Sequence, residues 1–333
     1  INVPQEVTRL GGIHYVGHLS GRGDRLSSKG RLETGAGNAD IQLSKNGKNI
    51  QAKIATKGIA LDRILANKTF GQVATTIEVK GNKDHLVAKG EISRFDYNKY
   101  SFRNISLDGQ YNHGIVKGLA SIDDPNIRVD IEGNYAIKGN KYAINTHIDH
   151  LQPSILGVKM ADKDYSLDDI DLSANNQSSD SYLDLEAPFM SLHARGQYNL
   201  STLVSSIQNM IAEKLPTLPG IKKTKAKGDN DFTLQGNIYS TEVLNKILGI
   251  PLAISSPIHI NGNISEQSNE LNLYLSAPLF SYNGKPFHNG NVELTTLDNA
   301  LNLEARITQG MPYEKAPEIK LKAAAADNVL STL

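Results

Sequence analysis

The stretch Ile127-Arg128-Val129-Asp130-Ile131 decides the fold class, because apolar and charged side chains alternate through all five positions. Successive side chains of a β-strand point to opposite faces of its sheet, so this stretch has one apolar and one polar face. The alternation recurs along most of the chain, in runs that begin at Ile105, Ile144, Leu183, Leu271 and Leu301. The pattern predicts a mainly β protein with one long apolar sheet face.

The composition excludes several classes of function. The chain of 333 residues has 35 basic and 35 acidic residues, so neither nucleic acid nor a strongly charged partner is indicated. It has no cysteine, which excludes disulfides, thiol catalysis and cysteine metal sites. It has no apolar run of about 18 residues that could cross a membrane as a helix. Because the chain starts at Ile1 without a leader, we interpret it as a processed chain or a fragment of a longer protein.

Clusters of turn residues divide the chain into short strands. In the first half the predicted turns lie at 21–24, 35–37, 46–47, 108–109, 112–114, 123–126, 132–134 and 138–140. Turn signals spaced about ten residues apart are typical of a meandering antiparallel sheet. We therefore predict that strands adjacent in sequence pair as hairpins.

Three short helices are predicted between the strands, over residues 61–66, 201–215 and 240–248. Each has apolar residues at helical spacing. Pro216 stops the second helix, Ser240 caps the third, and Gly249 ends it. We expect such helices to plug one end of a sheet or to cover an exposed edge.

An internal repeat marks the second half. The segments 183–191 and 273–281 share a Leu-x-Leu pair followed by Ala-Pro, and the two Ala-Pro pairs are 90 residues apart. Repeated units of this kind indicate an elongated stack. We predict two β-rich segments that continue into each other, residues 1–155 with Gly-rich hairpins and residues 156–333 with the Ala-Pro unit and two short helices.

Candidate catalytic and metal-binding groups have simpler structural explanations. His14 and His18 have the spacing of some zinc ligands on a helix, but in a strand four residues span about 13 Å, too far for one metal. Asp123-Asp124 and Asp168-Asp169 are expected in turns, where Asp side chains bond to local amides. Arg22-Gly23-Asp24 matches an integrin-binding tripeptide but also the composition of a hairpin turn.

Two other patterns, a basic run and the Gly-rich turns, are candidates for ligand binding or catalysis. The basic run Lys222, Lys223, Lys225 and Lys227 is expected to be a solvated loop, with contact to anionic lipid headgroups as the alternative. The Gly-rich turns lack the Gly-Lys-Ser/Thr of a phosphate loop, and no Gly-x-Ser-x-Gly elbow is present. The sequence therefore predicts no enzyme activity, no cofactor and no metal.

Several sequence segments of the first half resemble segments of a known protein family. Ile13–Gly21 followed by Gly30–Gly37, and Tyr100–Gly109 followed by Gly118–Ile127, resemble segments of TamB-like (translocation and assembly module) proteins of the AsmA-like group, of the Bacteroidota type. Asp123-Asp124-Pro125-Asn126 is the most distinctive motif of this resemblance. The resemblance covers about two thirds of the chain and corresponds to the middle segment of such a protein.

The resemblance implies a fold and a function. The expected fold is an elongated, open, curled antiparallel β-sheet, taco-like, with a U-shaped apolar groove and two or three short inserted helices. The expected function is a periplasm-spanning bridge that shields acyl chains during phospholipid transport between inner and outer membranes, linked to outer-membrane protein assembly or secretion. The implied inner-membrane anchor and the C-terminal region that docks to an outer-membrane barrel would lie outside this chain.

Apolar positions of the alternating runs are the candidate lining of this groove. They are Ile77, Val79, Ile105, Leu107, Ile127, Val129, Ile131, Ile144, Leu183, Leu185, Leu271, Leu273, Leu275, Leu301 and Leu303. Their expected partner is the acyl chain of a phospholipid. The alternative is a closed sandwich in which these residues pack against each other. The alternative function is that of a periplasmic scaffold or chaperone that binds β-barrel precursors by strand addition.

Overall fold

The computed structural model describes residues 5–177, 181–199, 202–216, 223–224, 228–313 and 315–332. Strands make up 64% of the structure and helices 10%, and the strands form an open antiparallel sheet. The prediction of a mainly β, open antiparallel fold with short helices is therefore confirmed. Within the described ranges, no helix is long and apolar enough to cross a membrane.

Contacts divide the chain into two compact units. The first comprises Ile1–Lys159 and Asp164–Asp169, and the second comprises Met160–Lys163 and Ile170–Leu333. The predicted segments 1–155 and 156–333, continuous with each other, stay a prediction.

The first unit is a meander of antiparallel strands. Its elements are α1 (Gln5–Arg9), β1 (Ile13–Arg22), β2 (Arg25–Thr34), β3 (Gly37–Asn46), β4 (Asn49–Ala60), α2 (Leu61–Leu65), β5 (Phe70–Gly81), β6 (His85–Tyr97), β7 (Tyr100–Phe102), β8 (Ile105–Asn112), β9 (Ile115–Asp124), β10 (Ile127–Ala136), β11 (Lys141–Leu151) and the 3₁₀ turn Pro153–Leu156. Strands adjacent in sequence pair with each other, except that β7 and β8 both pair with β6.

The second unit repeats this architecture. Its elements are β12 (Leu167–Asn175), β13 (Tyr182–Ala187), β14 (Met190–Gln197), α3 (Leu203–Lys214), β15 (Asp231–Ile238), α4 (Glu242–Leu248), β16 (Leu252–Ile254), β17 (Ile258–Ser265), β18 (Glu270–Tyr282), β19 (Lys285–Leu297), β20 (Ala300–Gln309), β21 (Glu318–Ala326) and β22 (Val329–Thr332). Here β15 pairs directly with β17, and the short β16 pairs with the end of β18.

The three predicted helices are present with slightly shorter bounds. Two features of α4 follow from its flanking residues. The N-cap residue is Thr241, whose side chain makes no capping hydrogen bond, so the prediction that Ser240 caps the helix is wrong. The Ser240 hydroxyl, one residue earlier, accepts a hydrogen bond from the Glu242 amide at 3.2 Å. Gly249, which ends the helix, has φ of +68°, the left-handed conformation that glycine adopts without strain. The sequence did not predict α1 or the 3₁₀ turn.

Most predicted turns are correct, but two are wrong. Gly23 (φ +64°) and Gly139 (φ +88°) lie in hairpin turns as expected. Asp108-Gly109 lies inside β8, and Glu132-Gly133-Asn134 lies inside β10. In these two segments the strands continue on both sides of the glycine without a change of register. Glycines with a turn-like neighbourhood can therefore stand in the middle of a strand.

The register of the first unit places the apolar positions in continuous rows across the strands. One row runs through Ile77, Gly90, Leu107, Ala120 and Ile131 on β5, β6, β8, β9 and β10. One residue further along, the opposite face carries charges of alternating sign on three of these strands, Glu78 on β5, Lys89 on β6 and Asp108 on β8, whereas β9 has Leu119 there. Among them, the Lys53 Nζ lies 2.6 Å from a Glu78 oxygen, and the Lys89 Nζ lies 2.8 Å from a carboxylate oxygen of its neighbour on β8. The hydrogen bond and charge of Lys53 lower the pKa of Glu78.

One end of the first unit is closed by a buried cluster. Phe102, Ile105, Ile127, Val129 and Ile155 pack together there, and Ile155 comes from the 3₁₀ turn. Since these side chains come from four separate elements, they tie the β6–β11 end of the meander together.

Asp124 anchors the neighbouring turn. It is buried, and its carboxylate accepts hydrogen bonds from the amides of Arg103 (3.1 Å) and Asn126 (3.0 Å) and from the Tyr100 hydroxyl. Burial and then the contact with Asp124 raise the pKa of Tyr100. Asp124 is thus a turn residue that bonds to local amides, as the sequence predicted.

In the second unit, α3 lies across one end of the strands. Its Ser206 donates a hydrogen bond to Glu266 in the β17–β18 turn at 3.0 Å. Near its other end, the Lys214 Nζ donates to Asn299 in the β19–β20 turn at 2.5 Å, and the Lys214 carbonyl accepts from the Asn328 amide. The helix therefore covers an end of the sheet, as expected for a plug.

Glu266 makes the stability of this end depend on pH. Burial opposes its ionisation, but hydrogen bonds from the amides of Gly228 and Asn230 and from the side chains of Ser206 and Asn230 outweigh burial and lower its pKa. A lowered pKa in the folded state gives stability that is present above the ordinary pKa of 4.5 and is lost as the pH falls through the folded value. We expect Glu266→Gln to lower the free energy of unfolding at neutral pH by about 1–3 kcal/mol.

Urea unfolding between about pH 3 and pH 7 measures this effect. The difference between wild type and Glu266→Gln should shrink as the pH falls, because protonation removes the charge that the network stabilises. Glu270→Gln, at an exposed position of β18, is the matched control and should behave like the wild type. A difference that is the same at every pH would contradict the assignment.

Candidate functional site

The first unit contains an apolar channel on the uncharged face of β5, β6 and β8–β11. Its volume is about 490 Å³, within the range of roughly 300–1,000 Å³ of small-molecule sites. The lining residues on this face are Ile77, Ala88, Gly90, Leu107, Gly109, Val116, Gly118, Ala120, Ile131, Gly133, Tyr135 and Ile144. Lys89, Asp108, Lys117, Leu119 and Asn134 contribute backbone, because the alternation turns their side chains to the other face.

A row of three glycines forms the floor of the channel. Gly109, Gly118 and Gly133 lie directly opposite one another on β8, β9 and β10. Ala88 continues this row on one side and Ile144 on the other. With hydrogen in place of side chains, the backbone of three adjacent strands is open to the channel.

Two apolar rows form the walls. Leu107, Ala120 and Ile131 stand two residues from the glycines on the side of the buried cluster. Val116 and Tyr135 stand two residues from them on the side of the hairpin turns. Leu107 is 39% exposed and Ile131 is 36% exposed, although both belong to the apolar face. The described residues therefore leave this part of the apolar face open.

The position of an apolar residue along its strand decides whether its side chain is buried in the cluster or lines the channel. Val129 is two residues from Ile131 on the same face of β10, yet it is only 8% exposed because it packs in the buried cluster. The change from buried to open thus occurs within about 7 Å of strand. One continuous apolar face serves as a core at one end of the unit and as an open surface further along.

The predicted lining residues divide into three groups. Ile77, Leu107, Ile131 and Ile144 line the channel, and Val79 is half-buried in the row that leads through Ala88 to Gly109. Ile105, Ile127 and Val129 are buried in the cluster that closes the end of the unit. In the second unit, Leu183, Leu185, Leu273, Leu275, Leu301 and Leu303 are half-buried and Leu271 is buried.

The second unit has the same kind of apolar rows. One runs through Leu183, Ala194, Leu234, Gly262, Leu273, Leu294 and Leu303 on seven successively paired strands. The polar face of its first strands carries Asp184, which bonds to Arg195 and to His193 at 2.9 Å. Burial raises the pKa of Asp184, but these two partners outweigh it and leave the pKa lowered. As in the first unit, charge lies on the face opposite the apolar row.

Other residues that the sequence singled out lie in ordinary structural positions. His14 and His18 are exposed on β1, and the His14 Nδ1 lies 3.4 Å from Glu33 on the paired strand. Arg22-Gly23-Asp24 forms the β1–β2 hairpin turn. Asp168 and Asp169 lie in β12, so the prediction that they form a turn is wrong. The Asp168 carboxylate lies 2.6 Å from the His150 imidazole of the preceding strand, β11. Of the basic run, Lys222, Lys225 and Lys227 lie outside the described residues, and Lys223 is exposed.

The glycine floor is the part of the site that sequence reasoning missed. Gly118 was noted only as the start of a segment that resembles TamB-like proteins, and Gly109 and Gly133 were assigned to turns. The signal that could have found them is the uninterrupted alternation on both sides of each glycine. A glycine inside a strand marks a place where another backbone or a ligand approaches closely.

The chain was compared with protein-family models, with curated proteins and with solved structures, and none of them matches it.

The open and buried parts of the apolar face should respond differently to a charge. We expect Val129→Asp to destabilise the protein by about 3 kcal/mol or more, because an unpaired charge would be buried. Leu107→Asp on the same face should cost less than about 1 kcal/mol, because water reaches this side chain. Thermal and urea unfolding of the two variants measures the difference. Equal, large destabilisation by both would show that the channel is an ordinary core.

Proposed function

We propose that this chain is a segment of a periplasmic bridge that shields the acyl chains of phospholipids during transport between the inner and outer membranes. The open apolar channel over the glycine row is the observation that carries the proposal. The resemblance to TamB-like proteins supplies the biological setting, including a link to outer-membrane protein assembly or secretion. The same resemblance implies that the proposed bridge includes an inner-membrane anchor and a region that docks to an outer-membrane barrel.

The backbone around the channel favours a hydrocarbon ligand over a peptide. β8, β9 and β10 each pair with a strand on both sides, so the ladder hydrogen bonds use their amide and carbonyl groups. A peptide lying on this face would leave its own backbone groups without partners, at a cost of about 1–3 kcal/mol each. An acyl chain has no such groups, so it loses no hydrogen bonds when it leaves water.

The energetics of transfer fit a passive surface. Burial of each methylene is worth roughly 0.8 kcal/mol, so exposing a sixteen-carbon tail to water costs about 12 kcal/mol. A bridge must therefore offer apolar contact at every step. Rows of apolar side chains that recur from strand to strand provide nearly equivalent positions, between which a chain can move with small changes in free energy. The apolar rows of the second unit extend the same kind of surface to other strands.

A second candidate function is supported by the edge of the first unit. β1 pairs only with β2 among the described residues, and all ten of its residues are exposed. It contains neither an acidic residue nor a lysine, which are the charges that commonly protect an edge strand. Such an edge can accept a strand from another chain. The second candidate is accordingly a scaffold or chaperone that binds β-barrel precursors by strand addition.

Filling the channel tests the first proposal. We expect native mass spectrometry of the chain, isolated from membrane-containing extract without detergent, to show bound phospholipid. Gly109→Leu should reduce this lipid at least about tenfold, a change of 1.4 kcal/mol in binding. A Cβ atom at Gly109 would meet nothing closer than 3.8 Å, so the substitution fits the strand and occupies only the channel.

Gln110→Leu is the matched control for that experiment. Gln110 is the next residue of β8 and is exposed on the opposite face, so the same side chain there leaves the channel open. It should bind lipid like the wild type. Wild-type protein without lipid would contradict the bridge. If that lipid-free protein bound an extended strand peptide from an outer-membrane barrel, the second candidate would be favoured.

A further inference from the structure

Two histidines meet at the rim of the first unit. His85 is the first residue of β6, and the register pairs it with Asn112, the last residue of β8. His113 follows in the β8–β9 turn. The centroids of the two imidazole rings are 4.5 Å apart, their planes make an angle of 82°, and both residues are exposed.

The turn itself does not explain a histidine at position 113. His113 has φ of +44°, the left-handed conformation required of the first residue in this kind of two-residue hairpin turn. At the corresponding position, four other two-residue turns of the chain carry Asn98, Asn283, Asp298 and Asp327. Asn and Asp adopt this conformation more easily than other side chains. Histidine is also enriched in this conformation, so the turn accepts His113 without requiring it.

A hydrogen bond sets the tautomer of His113. Its Nδ1 lies 2.6 Å from the amide oxygen of Asn112. Because that oxygen can only accept a hydrogen bond, Nδ1 carries the proton and Nε2 keeps its lone pair. Metal-binding histidines commonly have this arrangement, in which one nitrogen donates to an oxygen and the other binds the ion.

The backbone fixes both histidines in place. The Asn82 side-chain oxygen accepts hydrogen bonds from the amides of Asp84 (3.0 Å) and His85 (3.1 Å). The His113 amide donates to the Asp84 carbonyl at 2.9 Å. The two turns that carry the imidazoles are therefore linked to each other before any ligand binds.

We propose that His85 and His113 are two ligands of a divalent transition-metal ion of the Zn(II) or Cu(II) class, with water in the remaining positions. Two imidazoles bound to one ion through nitrogens at about 2.0–2.1 Å place their ring centroids about 4.5–5 Å apart, which matches the observed separation. The His113 ring keeps its hydrogen bond to Asn112, and rotation about the soft Cβ–Cγ bond of the exposed His85 side chain turns the Nε2 atom of His85 toward an ion bound at the Nε2 atom of His113. Neutral imidazole is a preferred ligand of these metals.

Titration of the tag-free chain with Zn(II) alone, and separately with Cu(II) alone, tests the site. We expect one ion per chain, with Cu(II) bound more tightly than Zn(II). His85→Gln and His113→Asn should each weaken binding at least about tenfold. His113→Asn should fold at least as stably as the wild type, because asparagine suits the turn, so its loss of binding cannot come from unfolding.

His18→Gln is the control, since His18 is an exposed histidine on β1. It should bind metal like the wild type. Unchanged metal binding in the His85→Gln, His113→Asn double variant would overturn the proposal, as would the absence of binding by the wild type. NMR spectra of the imidazoles provide a second criterion, because Zn(II) must shift the resonances of both rings, and a shift of only one would also overturn it.

Discussion

The register between neighbouring antiparallel strands is the constraint on which the rest of the structure depends. Because side chains alternate between two faces, a shift of one residue would move every apolar side chain of a strand to the charged face. Two-residue hairpin turns such as 113–114 hold this register from one strand to the next. The row through Leu107 and Ile131, the charges around Lys53 and Glu78, and the alignment of Gly109 with Gly118 all follow from it.

The same apolar face serves two purposes because the ends of the strands are covered differently. At one end of the first unit, Ile155 of the 3₁₀ turn and Phe102 of β7 complete a buried cluster. Further along the strands the described residues provide no such cover, and Leu107 and Ile131 stay partly exposed beside a bare glycine floor. Open apolar surface of this kind is costly in water, and the proposed function would cover it with an apolar ligand. The charges lie on the opposite face, where they keep that side of the sheet hydrated.

Strand alternation and helical spacing were enough to predict the mainly β fold and three of the four helices. Local pattern could not separate Val129 from Ile131, because the difference depends on Ile155, which is distant in sequence. Asp108-Gly109 has the composition of a turn, and only the pairing with β9 shows that the strand continues. His113 was predicted only as a turn residue and His85 was not singled out, since sequence does not show that two turns meet. Local chemistry was therefore predictable, while burial and contacts between elements required the structure.

The central claim is that the face carrying Leu107 contacts lipid chains and the opposite face does not. The chain has no tryptophan, so one introduced indole reports on one position without background. Leu107→Trp places it in the channel, and Leu119→Trp places it at an exposed position on the opposite face of β9. With phospholipid brominated on its acyl chains, quenching of the fluorescence of Leu107→Trp and not of Leu119→Trp is predicted. Equal quenching of the two variants, or none in either, would contradict the account.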